Sequence, residues 1–436
     1  MLLRSVVPVD TEDAVPEMQT RSRAGVCSSR LLLLLVVLAG SGRSVEPRQP
    51  APLVETQAVD CPCGEASLCE PVRTAKPKRE IYAFLYPVPS LSSASWQRMD
   101  WKQITTVCFC GHAPRDLVCD AHRRGARAVT MTWLAPTDNK AAQDAWAEQL
   151  LELARVNGTD GVNIDIEGYG SSLDPQPSVL LTAQISRLVA KLRTQNPLAQ
   201  ITMDSIGLPR NGIWWTGYDW RALSKTVDFL IPMMYDMLNA DACSRGNCSL
   251  PARYARFANS PYPAYLETVE QYASIGVPPG KLVFALPFYG YVIPCSSADS
   301  ASSCTLPVPW PDDPLGPWPC TGQQDRWCSP RQVSYGDVAA RLHLHSSGPW
   351  RFDPGSVTAF VDYHNSSGGR EQIWFDDPST LAVKVRWMAS VKLRGLAVWT
   401  ATSLNYTARG GAEAARMWGA LGLFSKGLLS STSRLP

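Results

Sequence analysis

The chain has 436 residues, 45% of them hydrophobic and 18% charged, which is enough apolar material for one large core or two ordinary ones and too much for a disordered chain. Its 41 basic and 39 acidic side chains leave a formal net charge of +2 with no dense Lys/Arg block, so there is no electrostatic case for binding nucleic acid or an anionic membrane surface. A neutral partner is the expectation that remains.

The apolar run 31–39 (LLLLLVVLA) follows Arg21, Arg23 and Arg30 and precedes small residues through Gly42. That is the layout of a secretory signal cleaved near Ser41 or Gly42. Nine apolar residues cannot span a bilayer, which takes about 20. The charged region is long for a start at Met1 and ordinary for a start at Met18, so residues 1–17 read as an upstream extension. Of thirteen cysteines, signal removal takes Cys27 and leaves twelve, an even number for an oxidising compartment. Cys243/Cys248, Cys295/Cys304 and Cys320/Cys328 are close enough to pair locally, whereas Cys61, Cys63, Cys69, Cys108, Cys110 and Cys119 form a group of open connectivity. Cys108, Cys110, His112, Cys119 and His122 also look like a metal cluster, although thiolate sites belong mostly to reducing compartments. Sequons at Asn157, Asn247, Asn365 and Asn405 fit the secretory route.

Residues 43–78 form a cysteine-bearing N-terminal segment, and regular structure is expected over 79–424 with a short tail at 425–436. Eight β-rich runs follow in order: IYAFL (81–85), TTVCF (105–109), AVTMTW (128–133), GVNIDI (161–166), QITMDS (200–205), FLIPMMY (229–235), LVFALP (282–287) and GLAVWT (395–400). Between them lie stretches of helical period such as 141–156 and 178–193, the latter with Leu181, Ile185, Leu188 and Leu192 on one stripe. Strand–helix alternation of this kind predicts a (β/α)8 TIM barrel, with a doubly wound open sheet as the other architecture. The long interval 291–374, rich in Pro, Cys, Ser and Trp, reads as an insertion between the seventh and eighth strands.

The fourth run continues as DGVNIDIE (160–167). Residues two apart share a strand face, so Asn163, Asp165 and Glu167 project one way and Val162, Ile164 and Ile166 the other. In a barrel the apolar set packs under the helices and the polar set faces the lumen, nearest the C-terminal end where such folds keep their active sites. Carboxylates two apart lie about 6–7 Å from each other at Cβ, so repulsion and burial raise the pKa of one and let it deliver a proton. Glycoside hydrolysis is the reaction class that most often asks this of Asp and Glu. Asp160 is out of phase and is expected to be structural, bonding backbone where the strand begins.

These residues resemble the DxxDxDxE signature of glycoside hydrolase family 18, the chitinase-like (β/α)8 enzymes, with Glu167 as the acid. MMYD (233–236), LPFYG (286–290), WFDDPSTLAVK (374–384) and GLAVW (395–399) resemble further family motifs in the right order, over about 80–410. More narrowly, DCPC, DWKQITTV (100–107), HRRGARAV (122–129) and RGLAVW resemble a lysosomal branch that trims the chitobiose core of Asn-linked glycans. The resemblance implies a retaining, substrate-assisted mechanism in which the 2-acetamido oxygen attacks C1 while Glu167 protonates the leaving oxygen and later activates water. It further implies that Asp165 orients the acetamido group, Tyr235 hydrogen-bonds its oxygen, Asp236 is a polar contact and Trp399 floors the sugar. The implied partner is an oligosaccharide with β-1,4-linked N-acetylglucosamine. A monomer with no cofactor, metal, nucleic acid or membrane is expected, in the lysosome or secreted.

Each role has a plain alternative: Trp399 as barrel filler, Tyr235 and Asp236 as a satisfied buried pair, and Trp214, Trp215 and Trp220 as loop packing rather than sugar platforms. The departures from the family pattern are Asn163 where an acid is usual, TMTW (130–133) with its bulky Trp133 on the third strand, and Gly168 after the acid. Because Asn cannot titrate and can donate a hydrogen bond, Asn163 is expected to keep Asp165 ionised to lower pH than in enzymes that carry the full acid triad.

Overall fold

The computed structural model describes residues 63–72, 77–86, 93–110, 114–133, 137–167, 176–209, 217–237, 257–295, 304, 331–345, 350–364 and 368–426. The signal, residues 427–436 of the tail, Cys243/Cys248, Cys320/Cys328, Asn247, Asn365, Trp214, Trp215 and Gly168 lie outside them. Eight parallel strands close a barrel in the order β1, β13, β7, β6, β5, β4, β3, β2. They are β1 (Glu80–Leu85), β2 (Thr106–Cys110), β3 (Arg127–Thr132), β4 (Gly161–Ile164), β5 (Gln200–Ile206), β6 (Phe229–Met233), β7 (Val283–Pro287) and β13 (Gly395–Trp399). All eight expected runs are present. The alternative open sheet is not, because β1 pairs with both β2 and β13.

The helices that cover the barrel follow from simple signals. α3 (Lys140–Asn157) begins where Asn139 accepts from the Ala142 N–H at 3.1 Å and ends at Gly158, whose left-handed φ of 68° a side chain would strain. A Cβ on Gly158 would also meet the Cys69 carbonyl oxygen at 2.9 Å, so this turn is packed beneath the N-terminal segment. α4 (Gln176–Gln195) buries the predicted stripe Leu181, Ile185, Leu188 and Leu192 against the barrel, at roughly 1.5–3 kcal/mol per side chain. α2 (Arg115–Arg123), α5 (Trp220–Thr226), α6 (Tyr262–Ser274), α8 (Pro378–Ser390) and α9 (Gly411–Leu421) also cover the barrel. No helix among the described residues is long and apolar enough to cross a membrane.

Alternation along the strands sorts two cores. Ile81, Val107, Val162, Ile164, Ile201, Leu230, Phe284 and Val398 pack outward under the helices, while Tyr82, Phe84, Cys108, Met131, Phe229, Ile231, Ala285 and Ala397 fill the lumen. Between β7 and β13 the chain builds a second, antiparallel sheet in the order β10, β11, β12, β8, β9, from β8 (Tyr289–Pro294), β9 (Arg331–Ser334), β10 (Arg351–Asp353), β11 (Thr358–His364) and β12 (Arg370–Phe375).

Cys295 pairs with Cys304 as its spacing suggests, and Cys63 pairs with Cys119, which resolves part of the N-terminal group. That disulfide removes Cys119 from the metal reading, and among the described residues no cluster suited to a metal occurs. His122 instead ties the N-terminal segment down, its Nδ1 at 2.8 Å from the Leu68 carbonyl oxygen and its Nε2 at 2.9 Å from Asp160 Oδ2. Asp160 also accepts from the backbone N–H groups of Val72 at 2.5 Å and Ala128 at 2.7 Å, the scaffold role expected of it.

Candidate active site

β4 ends at Ile164, three residues short of the acid, so Asp165 and Glu167 stand on the loop that leaves the strand rather than in the strand itself. Their alternation survives. The Asp165 N–H still bonds the Thr132 carbonyl at 2.9 Å, Ile166 anchors in the outer core, and the Tyr218 hydroxyl donates to the Ile166 carbonyl at 2.7 Å. Pinned at Ile166, the segment turns the two acids back over the lumen. Tyr218 is itself held by stacking on Trp220, with ring centroids 4.6 Å apart, so Trp220 packs in the core and not on a sugar.

Asp165 is 8% exposed and Glu167 half-buried. Loss of water around Asp165 pushes its carboxyl up to about 6, against a hydrogen bond from Glu167 that pulls it down. Glu167 is pushed well above the ordinary carboxylate range, first by burial, then by the charge and hydrogen bond of Asp165 and the charge of Asp236. Glu167 therefore keeps the proton and donates it toward Asp165. The Asp165 Oδ1 atom is buried and has no hydrogen-bond partner among the described residues.

Asn163 is fully buried and does not serve Asp165. Its Nδ2 donates to Thr202 Oγ1 at 3.0 Å and to Asp204 Oδ1 at 2.9 Å, both on β5. The expectation that Asn163 donates a hydrogen bond to Asp165 is thus corrected: its donor is used across on β5.

Trp399, at the end of β13, is half-buried between Tyr86 (6.0 Å, 20° between planes) and Tyr235 (6.4 Å, 28°), with Phe84 at 5.2 Å. Tyr235 joins this ring cluster from the loop after β6 and feels the charges of Asp204, Glu167, Asp236 and Asp165, which together with burial raise its phenol well above normal. Asp236 is exposed at the mouth with a left-handed φ of 58°. Its N–H donates to Asn259 Oδ1 at 2.8 Å, and its Oδ1 accepts from the hydroxyls of Tyr289 at 2.5 Å and Tyr291 at 2.6 Å. Its partners are therefore these two tyrosines of β8, not Tyr235. Crowding by the groove wall raises the Asp236 carboxyl, and the two phenol donors oppose that shift.

The insertion sheet thus supplies one wall of the groove: Tyr289, Tyr291 and Ile293 of β8 and Trp374 of β12 form an aromatic face that touches Tyr235 and Trp399. The motif WFDDPSTLAVK braces this wall. Asp377 caps α8 through a reciprocal bond with Thr380, and Asp376 pairs with the fully buried Lys384, whose ammonium also donates to the Ser260 carbonyl at 2.6 Å, next to Asn259. Trp133 lies one residue beyond β3, 42% exposed, on the face that carries Met131 toward the lumen. Sequence reading missed Asp204, Tyr218, Asn259 and Tyr291, whose roles depend on which strands become neighbours.

The pattern of glycosyl hydrolases family 18 matches residues 127–403. Di-N-acetylchitobiase of Rattus norvegicus is 30% identical over 376 residues, covering 85% of this chain and 95% of that protein, and di-N-acetylchitobiase of Homo sapiens is 29% identical over 350 residues, covering 80% and 84%. Among solved structures, the chitinase of Cycas revoluta in complex with (GlcNAc)3 aligns with a TM-score of 0.57 at 16% identity, over 78% of this chain and all of that one, a likeness of fold. With a profile match over more than half its length and a carboxylic acid pair at the mouth of a closed barrel, the chain belongs to glycosyl hydrolases family 18 and is a glycoside hydrolase.

Proposed function

We propose that the chain hydrolyses the N,N'-diacetylchitobiose core of Asn-linked oligosaccharides from the reducing end, releasing N-acetylglucosamine with retention of configuration. The observation that carries this reading is the buried acid pair itself: burial and the charge of Asp165 push the Glu167 carboxyl well above its ordinary range, and Asp165 Oδ1 accepts no hydrogen bond from the described residues. An acetamido N–H fits that acceptor, and once bound it turns the acetamido carbonyl toward C1 for attack on the sugar's own anomeric carbon. Glu167 protonates the departing glycosidic oxygen, then takes a proton from the incoming water. Asp165, ionised, stabilises the positive charge that develops on the oxazolinium ring, an effect magnified by the dry lumen. Tyr235 supplies a hydroxyl for the acetamido oxygen, Asp236 a rim contact, and Trp399 an apolar face matching the C–H face of the pyranose.

The names of the curated relatives support chitobiose as substrate, and the insertion sheet beside Asp236 supports a groove closed on that side, as an exo-acting enzyme needs. A lysosomal location is supported by the signal-like N-terminus and by the His122 clamp, which is strongest in acid. A secreted endo-chitinase is the reading this must be told from, with an inactive sugar-binding lectin as the further alternative that Glu167 argues against.

Purified protein incubated with reduced and unreduced chitobiosyl oligosaccharides at pH 4–7 tests the reading. Release of N-acetylglucosamine from the unreduced substrate, lost in Glu167→Gln, supports it. Cleavage of internal chitin bonds indicates the endo-chitinase, and sugar binding without release indicates the lectin. For the free enzyme the acid limb of kcat/KM is expected near the Asp165 value of about 6, since Asp165 must lose its proton while Glu167 keeps one. In kcat that limb moves to lower pH, because the bound cationic intermediate favours the Asp165 carboxylate.

A further inference from the structure

Asp204 has no place in the mechanism above, yet it is a carboxylic acid 3% exposed in the lumen beneath the acid pair. Parallel pairing sets Val162 against Ile201, Asn163 against Thr202 and Ile164 against Met203, so Asp204 is the next residue of β5 where the chain leaves β4 for Asp165; Asn163 Nδ2 reaches it at 2.9 Å, and the charges of Asp165 and Glu167 act on it. Its hydrogen bond from Asn163 Nδ2 occupies Oδ1 as an acceptor and leaves Oδ2 to carry a proton. The groups that face it are Asn163 and the acids Asp165 and Glu167 from the β4 side, Thr202 below it, Tyr82 of β1 with Cys108 of β2 behind it, and Tyr235 after β6 with Asp236 beyond. No cationic side chain among the described residues forms an ion pair with it. A buried acid without a counter-charge is costly, and its place next to the pair suggests why it is kept.

We propose that Asp204 is a positioning residue of this site: a third carboxyl, supplied from β5 and tied to β4 through Asn163, that shares the protons of the Asp165–Glu167 pair and widens the alkaline range over which Glu167 stays protonated. The inference rests on the glycosidase reading above. In the working state Asp165 is ionised and two protons reside on Glu167 and Asp204. As pH rises and one of these leaves, the other is distributed over both carboxyls, so a fraction of molecules still has Glu167 armed. With no titratable group at 204, the same loss disarms Glu167 outright. Burial and the charges of Asp165 and Glu167 hold the Asp204 proton well above the ordinary range, consistent with that order.

The test compares kcat/KM pH profiles of the wild type, Asp204→Asn, and the swap Asn163→Asp/Asp204→Asn, which returns the acid to the lumen from the other strand. The expected result is an alkaline limb displaced toward acid by about one pH unit in Asp204→Asn, with the acid limb unmoved, and restored in the swap. Superimposable profiles for Asp204→Asn and wild type overturn the inference. So does a displaced limb that the swap fails to restore, which would place the effect in local packing. Should the wild type release no N-acetylglucosamine, the function reading fails, and infrared titration of the carboxyl C=O band, which needs no substrate, decides Asp204 alone. Altered titration of the remaining acids in Asp204→Asn supports the shared cluster, and unaltered titration overturns it.

Discussion

The two ends of the barrel lumen treat buried carboxyls in opposite ways. At the N-terminal end, Glu80 is fully buried but accepts from Thr105 Oγ1 at 2.6 Å and Arg394 Nη2 at 3.4 Å, with the attraction of the buried Arg127 close by. Gln200 and Thr106 complete that plug through a 3.0 Å hydrogen bond. At the C-terminal end Asp165, Glu167 and Asp204 gather, with the exposed Asp236 at the rim, and no cation forms an ion pair with any of them among the described residues. Burial raises the pKa of carboxyls at both ends, yet only below is that rise opposed by cations. The lower end is built to hold, the upper end to hold a proton and release it, which is the division expected between the stability face and the active face of this fold.

Changes at the two ends should therefore separate activity from stability. Glu167→Gln is expected to lower kcat by about 10²–10⁴-fold with an unchanged urea unfolding midpoint; equal losses in both would erase the contrast. Arg127→Met should do the reverse, lowering the free energy of unfolding by about 3 kcal/mol because Glu80 loses a buried counter-charge, while kcat per folded molecule stays the same. Tyr289→Phe and Tyr291→Phe each remove one donor from Asp236 and are expected to raise KM about tenfold, each being worth about 1–1.5 kcal/mol, with little change in unfolding.

The smallest effect concerns the clamp outside the lumen. Both His122 nitrogens face acceptors, which a neutral ring with one N–H cannot satisfy together, and the hydrogen bond and charge of Asp160 raise its pKa against burial. Because the folded value lies above the unfolded one, the clamp is at full strength below the unfolded value of about 6.5 and is lost as pH climbs through the folded one. Hydrogen exchange at residues 63–72 should accelerate on that rise in the wild type, and His122→Gln, about 1 kcal/mol less stable in acid, should show no such step.

Much of this was legible in the sequence because alternation is a local signal. Val162, Ile164 and Ile166 against Asn163 and Asp165 announce two faces, and the eight runs fall on the eight strands with edges off by a residue or two. The runs GVNIDI and FLIPMMY overshoot, since at the barrel mouth the ladder ends while the alternation continues into the loops that carry Asp165 and Tyr235. What sequence could not supply is register. Asp204 in QITMDS looks like one polar residue in a strand until β5 lies against β4, and the partners of Asp236 become Tyr289 and Tyr291 only when β8 folds back over the mouth. The Asn163 reading failed for the same reason: its donor goes across to β5 rather than along its own strand. Trp220 was placed between two uses that only the Tyr218 stack could separate.

The proposed substrate assistance, by an acid pair without a cation, has a direct consequence for stereochemistry. Proton NMR of the newly formed reducing end, recorded in the first minutes of chitobiosyl hydrolysis before mutarotation, should show the β anomer and no signal in Glu167→Gln. An initial α anomer would mean that water attacks the opposite face with Asp165 as base, and would contradict the roles assigned here to Asp165 and to the acetamido group.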